Sequence, residues 1–221
     1  MGQVMSTSIV TVAYGERYRM FLPEWSEAVK NLHTRPDQII IVTDDVEECE
    51  VLVEWQAGMI ILETTTEPKI HPQVCVNDAI AEADTDWVCK MDVDDIIYPH
   101  ALDPLEACDA DVYMFGIRMG GKNLPARHAT RQDVMKTPHN LVFSCSPFRR
   151  WVWEKTGGFQ DAICEDWRFW VDAARVGARF QTSPTIDYEY VIHGENISQR
   201  GDLAIWESAA RDYQNTLKGI T

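Results

Sequence analysis

Trp87-Val88-Cys89-Lys90-Met91-Asp92-Val93-Asp94-Asp95 is the stretch on which the fold turns: a short apolar run that passes straight into three carboxylates. An apolar run of this length, following an amphipathic segment, reads as a strand buried on both faces. In extended backbone, residues two apart point the same way, so Asp92 and Asp94 project together, roughly 6–7 Å apart. That spacing lets one carboxylate touch a hard cation, Mg²⁺ or Mn²⁺, while its neighbour meets a ribose hydroxyl or a metal-bound water. Three acids after a strand also suit turn chemistry on a solvated edge. The surrounding chain decides between these readings.

Three similar strands precede it: Ser8 to Ala13, Gln38 to Val42 and Met59 to Leu62. Helical signals alternate with them. Tyr18, Phe21, Leu22, Trp25, Ala28, Val29 and Leu32 recur three and four apart. Further helices are expected over residues 46–56 and 72–83. Continuous apolar strands separated by amphipathic helices predict an α/β domain with a mostly parallel central sheet flanked by helices. Ligands of such sheets bind beyond the carboxyl ends of the strands, which is where the three acids stand.

After Pro99 the pattern changes. A short helix near 101–108 and a strand over 111–118 precede a polar, irregular stretch, 122–140, expected to be a mobile or substrate-contacting loop. A helix after Cys164 carries Trp167, Trp170, Val171 and Ala174 on one face and ends near Gly177. Residues 185–192 read as a strand. Leu203, Trp206, Ala210, Tyr213 and Leu217 form the stripe of a C-terminal amphipathic helix.

The 221 residues carry a formal charge of −15, which excludes a nucleic-acid surface built on Lys and Arg and disfavours docking on anionic lipid. An acidic protein still binds an anionic ligand when a divalent cation stands between the two sets of charges. No apolar stretch is long enough to span a bilayer, and no basic, then apolar, leader opens the chain, so no stable membrane insertion is expected. The six cysteines form no C-x-x-C pair, which fits reduced thiols in a cytoplasm. Of the eight tryptophans, Trp25, Trp167, Trp170 and Trp206 fall on helical stripes and read as core. Trp151 and Trp153, beside Arg149-Arg150, are the better candidates for acceptor contact.

From Ser8 to about Phe180 the chain resembles an inverting family 2 glycosyltransferase of the GT-A fold. Ser8 through Gly15, followed by Phe21-Leu22-Pro23-Glu24, is similar to that family's first strand, aromatic turn and helix start. Ile39-Ile40-Ile41-Val42-Thr43-Asp44-Asp45 resembles its second strand. Asn77-Asp78-Ala79-Ile80 through Asp95 resembles the run ending in D-x-D-D. Thr156-Gly157-Gly158-Phe159 followed by Glu165-Asp166-Trp167 resembles the GGF…EDW block.

The resemblance implies a single GT-A (nucleotide-diphospho-sugar transferase) domain over 1–221, with a small antiparallel acceptor-side portion. Residues 7–98 would form the nucleotide-binding half, 99–195 the acceptor and catalytic half, and 196–221 a C-terminal segment. It further implies a metal-dependent hexosyltransferase that uses a nucleotide-diphospho-sugar donor, a UDP-sugar, and Mn²⁺ or Mg²⁺. The acceptor would be a saccharide, a lipid-linked glycan or a protein hydroxyl. Asp94 would hold the metal, with Asp92 in the metal or ribose shell and His193 as a further metal or phosphate ligand. Ala13, Tyr14 and either Asp44 or Asp45 would form the base pocket, with Asn77 and Gly158 in the donor and acceptor walls.

The sequence departs from the family in three places. Val46-Glu47-Glu48 follows the second-strand acids where Gly-Ser is usual, Gly15 replaces Asn, and Lys90 replaces an apolar strand residue. Lys90 either reaches a phosphate or snorkels to the surface. Inverting transfer needs one general base on the acceptor hydroxyl. The resemblance assigns that role to Asp166, with Glu165 as second choice, although acids at a helix start also serve as caps. Two readings compete with sugar transfer: a sugar nucleotidyltransferase and a non-catalytic nucleotide-sugar or glycan-binding protein. The first would want a basic, Gly-rich loop after the first strand, where Tyr14-Gly15-Glu16-Arg17 stands. A haloacid-type phosphatase would carry D-x-D on the first strand instead of the fourth.

Overall fold

The structure is a computed structural model that describes residues 5–53, 57–65, 72–137 and 139–193, with 208, 209, 212, 213, 215 and 216 beyond them. In the first half β1 (Thr7–Ala13), β2 (Gln38–Thr43), β3 (Met59–Glu63) and β4 (Trp87–Lys90) alternate with α1 (Glu16–Arg19), α2 (Leu22–Lys30), α3 (Val46–Leu52) and α4 (Pro72–Glu82). The chain then forms β5 (Ile96–Ile97), a 3₁₀ turn (Asp103–Ala107), β6 (Val112–Met119), β7 (Lys122–Leu124) and α5 (Arg131–Lys136). It continues with β8 (Phe148–Arg149), α6 (Arg150–Thr156), α7 (Glu165–Arg175) and β9 (Phe180–Tyr190).

Among the described residues the strands form one sheet in the order β3-β2-β1-β4-β8-β6-β9-β5, with β7 paired to β6. β1 pairs in parallel with both β2 and β4. The chain therefore grows outward from β1 to β3 and returns through α4 to the other side of β1. That reversal between β1 and β4 is a topological switch point, and it opens a crevice at the carboxyl ends of both strands. The second half supplies the antiparallel portion: β8 runs antiparallel to β4 and β6, and β5 antiparallel to β9.

Alternation along each strand loads both faces with apolar side chains. Ile9, Ile39 and Ile41 join Trp25 and Trp87 in one core layer, while Val10, Ile40 and Val42 join Phe148, Phe169 and Trp170 in the other. Aromatic packing ties α7 to the sheet: the Phe148 ring lies 4.9 Å from Phe169 and 5.9 Å from Trp170.

Three expectations require correction. Residues 122–140 are not an irregular loop: they hold β7 and α5, and α5 opens on a capping box in which Thr130 and Asp133 satisfy one another's backbone N–H groups. The helix expected over 46–56 ends at Leu52, and residues 54–56 lie outside the described residues. The strand expected over 185–192 begins earlier, at Phe180, because it pairs in parallel with β6. Most of the C-terminal stripe lies outside the described residues. Tyr213, within it, donates to the Asp172 carboxylate at 2.6 Å and packs edge-on against Trp167.

Candidate active site

The crevice beside β1 and β4 gathers most of the residues singled out in the sequence. At the end of β1, the Gly15 N–H donates to Asp44 Oδ1 at 2.8 Å, and the Thr43 hydroxyl donates to the Ala13 carbonyl at 2.9 Å. These bonds lock the carboxyl ends of β1 and β2 together. Arg19, which is buried, donates to Asp44 and to Glu48. Burial opposes the Asp44 charge, but the Gly15 N–H and Arg19 outweigh it and hold that carboxyl below its ordinary range. Asp45 turns away and caps α3, accepting the Glu48 N–H at 2.9 Å. Of the two acids left open by the sequence, Asp44 thus stays beside the end of β1, bonded to Gly15 and Arg19. Ala13 is fully buried in the core, so its side chain is floor, not lining.

At the end of β4 the three acids have different surroundings. Asp92, 45% exposed, accepts from Lys90 Nζ at 2.7 Å. Asp94 pairs with His193, Oδ2 to Nε2 at 2.6 Å, and the His193 ring packs 5.1 Å from Phe21. Asp95 is buried beneath them and accepts the Val191 N–H at 2.9 Å. Burial, reinforced by the Asp92 charge, pushes its carboxyl up to about 8. Asp95 thus lies deeper than its neighbours: the Asp92 side chain is far more open to solvent, and the Asp94 side chain, beside His193, is 13% exposed. Lys90 does not snorkel: its side chain is only 14% exposed and its ammonium is bonded to Asp92.

Across from this cluster α7 begins. Its cap residue, Cys164, has φ +61, the one non-glycine positive φ among the described residues. A left-handed residue costs roughly 1–2 kcal/mol, and such strain collects where a side chain must be aimed. The turn makes Glu165 and Asp166 the first helical residues and no side chain caps the helix at Cys164, so neither acid is the cap. Asp166 accepts the Trp167 N–H through Oδ1 at 2.7 Å and the Asn140 amide through Oδ2 at 2.8 Å. Burial raises the Asp166 carboxyl, partly offset by the Trp167 N–H and by Lys90. Burial and the Asp166 charge push Glu165 up to about 6. Asp92, Lys90, Glu165 and Asp166 all lie within electrostatic reach of one another.

Two residues that bond these acids carry no signal in the sequence. Asn140 orients Asp166 from a stretch that carried no signal beyond polarity. Arg19, on which the sequence is silent, is buried and pairs with both Asp44 and Glu48.

Several expected residues fall elsewhere. Asn77 is committed to structure: its amide donates to the Phe159 carbonyl at 2.8 Å, and its Oδ1 accepts from Trp153 Nε1 and the Phe159 N–H, each at 2.9 Å. Trp153 is thereby fixed in the same clamp. Trp151 bonds Asp111, which sits at the start of β6 at the opposite end of the sheet from Asp92. Gly158 is the hinge of the clamp. At its φ of +80 a Cβ would meet Asn77 Oδ1 at 2.6 Å and Trp153 Nε1 at 2.8 Å. Gly158→Ala is expected to cost about 1–3 kcal/mol in urea unfolding. Gly121→Ala, also at positive φ but with nothing within 4 Å of the added carbon, should cost clearly less. Equal losses would show that crowding plays no part.

Among the described residues no group of three or more His, Cys, Asp or Glu side chains converges as a metal cage. The Asp94–His193 pair nonetheless suits a hard cation that takes one or two protein ligands and completes its shell with phosphate oxygens and water.

The model of glycosyl transferase family 2 matches residues 8–158, more than half of the chain. The chain belongs to glycosyl transferase family 2. This family 2 domain has the fold of solved S. aureus TarS structures. The TarS 1–349 complex with UDP-GlcNAc superposes with a TM-score of 0.71 at 17% identity, covering 90% of this chain and 62% of that one. The complex with UDP gives 0.66 at 16%, covering 98% and 73%. A further TarS 1–349 structure gives 0.63 at 18%, with 85% of this chain and 60% of that one. The chain thus spans about three-fifths of two of these TarS chains. No curated protein matches it. Among the described residues no helix is long and apolar enough to cross a membrane.

Proposed function

We propose that this chain is a hexosyltransferase that moves a sugar from a nucleoside-diphosphate donor, a UDP-sugar, to an acceptor hydroxyl with inversion at the anomeric carbon. One observation carries the reading: the acids after β4 and the acids opening α7 face each other across the crevice at the sheet's switch point, within electrostatic reach. Family membership and the TarS complexes with UDP-GlcNAc and UDP support the donor class.

Asp44 receives the N–H of the base beside Tyr14, and Asp92 meets the ribose. A divalent ion, Mn²⁺ or Mg²⁺, held by Asp94 and His193 would supply Lewis-acid neutralisation of the departing diphosphate. Asp166, aimed by Asn140 and the Trp167 N–H, takes the proton of the acceptor hydroxyl as that oxygen attacks the anomeric carbon. Its raised pKa makes it a stronger base than an exposed Asp. Glu165 beside it contacts acceptor hydroxyls on a saccharide, lipid-linked glycan or protein. All six cysteines are free and buried, which fits a reducing, cytoplasmic setting.

A panel of UDP-, GDP- and dTDP-sugars incubated with the protein and Mn²⁺ tests the reading through release of nucleoside diphosphate. One donor should be consumed well above the protein-free rate, and ¹H NMR should show the opposite anomeric configuration in the product. Consumption of no donor, with or without metal, would sink the transferase reading.

A further inference from the structure

We propose that Lys90 is a positioning residue for sugar transfer: its ammonium stands between Asp92 and the acids that open α7, joining the two walls of the crevice through opposed charge. The inference rests on the transferase reading for its kinetic consequence, though not for its first test.

Its geometry follows from the strand. Lys90 is the last residue of β4 and lies two residues beyond Val88. Side chains two apart share a face, and Val88 belongs to the core layer that holds Phe169 and Trp170 of α7. Lys90 therefore emerges on the face of the sheet that α7 covers, with Glu165 and Asp166 of that helix within electrostatic reach. There it donates to Asp92 Oδ1 at 2.7 Å. Burial works against its charge, yet Asp92, Glu165 and Asp166 together hold the ammonium above its ordinary value.

Three carboxylates, Asp92, Glu165 and Asp166, thus face this one ammonium. The neighbouring Cys164 thiol, raised by burial to about 11, stays neutral. Arg168 lies one turn further along α7 and is held over the Tyr213 ring at 4.8 Å. Without Lys90, Glu165 and Asp166 would face Asp92 and each other with its attraction removed. Repulsion between partly desolvated like charges is relieved by taking up a proton or by swinging apart. Either outcome disables a base that must be ionised and aimed.

The first test needs no substrate. ¹³C NMR of the side-chain carboxyls, assigned with Glu165→Gln, follows titration of Glu165 and Asp166 in the wild type, Lys90→Met and Lys90→Arg. Lys90→Met should raise their midpoints by about one pH unit, and Lys90→Arg should return them towards the wild-type values. Lys90→Gln gives the same comparison should Lys90→Met melt early. The kinetic test follows: Lys90→Met should lower kcat by roughly 10–100-fold and move the acidic limb of kcat/KM upward, with donor KM little changed. Unmoved carboxyl midpoints in both Lys90→Met and Lys90→Gln would overturn the inference. So would a loss confined to donor affinity with an unmoved limb, which would make Lys90 a phosphate ligand. Should the wild type transfer no sugar, the transferase reading falls, while the carboxyl titration still decides the role of Lys90.

Discussion

Asp166→Asn is expected to lower kcat by about 10²–10⁴-fold while donor binding stays intact. Asparagine keeps the shape of the side chain and still accepts the Trp167 N–H, so the crevice should not collapse. What it loses is the ability to take a proton from the acceptor. Its new amide also faces the Asn140 amide, which now donates to Asp166 Oδ2 at 2.8 Å, so Asn140 must rotate. The pH profile carries the sharper information. Burial raises the Asp166 carboxyl, so wild-type kcat/KM should fall as pH drops through a limb above the ordinary carboxylate range. The sign is that of a base: activity is present above the raised pKa and lost below it. In Asp166→Asn that limb should vanish along with most of the rate. If Glu165→Gln removes the limb instead, the base is Glu165, whose carboxyl is raised to about 6.

Asp94→Asn should act on a different step. It removes the carboxylate of the Asp94–His193 pair, the two side chains proposed above to hold a cation against the donor diphosphate. Interactions of that kind supply several kcal/mol, so donor affinity should fall about 10²-fold or more, with kcat/KM falling at least as far. Isothermal titration calorimetry with UDP and Mn²⁺ measures it directly. A chelator should reproduce the loss in the wild type and add nothing to Asp94→Asn. Asp95→Asn is the control: the carboxyl is raised to about 8, so the amide mimics its protonated state and donor affinity should change little. A large loss there with none at Asp94 would exchange their roles.

The two substitutions divide the crevice as the sequence divides it. β1 to β4 were legible because parallel strands buried on both faces must be continuously apolar. The acids after Met91 were legible because they interrupt such a run at a carboxyl end. α7 was legible from the stripe of Trp167, Trp170 and Val171. The direction of a side chain at a strand end was not. Lys90 reads as a surface lysine until the fold brings Glu165 and Asp166, some seventy-five residues further on, within electrostatic reach of it. Asn140 carried no pattern at all, since a single amide in a polar stretch is silent until its partner's position is known. Residues 122–140 were misread for another reason: Thr130-Arg131-Gln132-Asp133 is a capping box, but the helix it opens has only six residues, too short for periodicity to show. β8, two residues long, left no alternation to read. Asn77 follows from motif position and Trp153 from its place beside Arg149-Arg150, and both are held in a clamp that only Gly158 permits.

A crystal structure of the protein with UDP and Mn²⁺ tests the central claim most directly, through the anomalous scattering of the ion. The expected result is one strong anomalous peak bridging Asp94 and the diphosphate oxygens in the crevice between β1 and β4, with Asp166 facing it from the start of α7. A nucleotide bound elsewhere, or bound in that crevice with no ion touching Asp94, would contradict it.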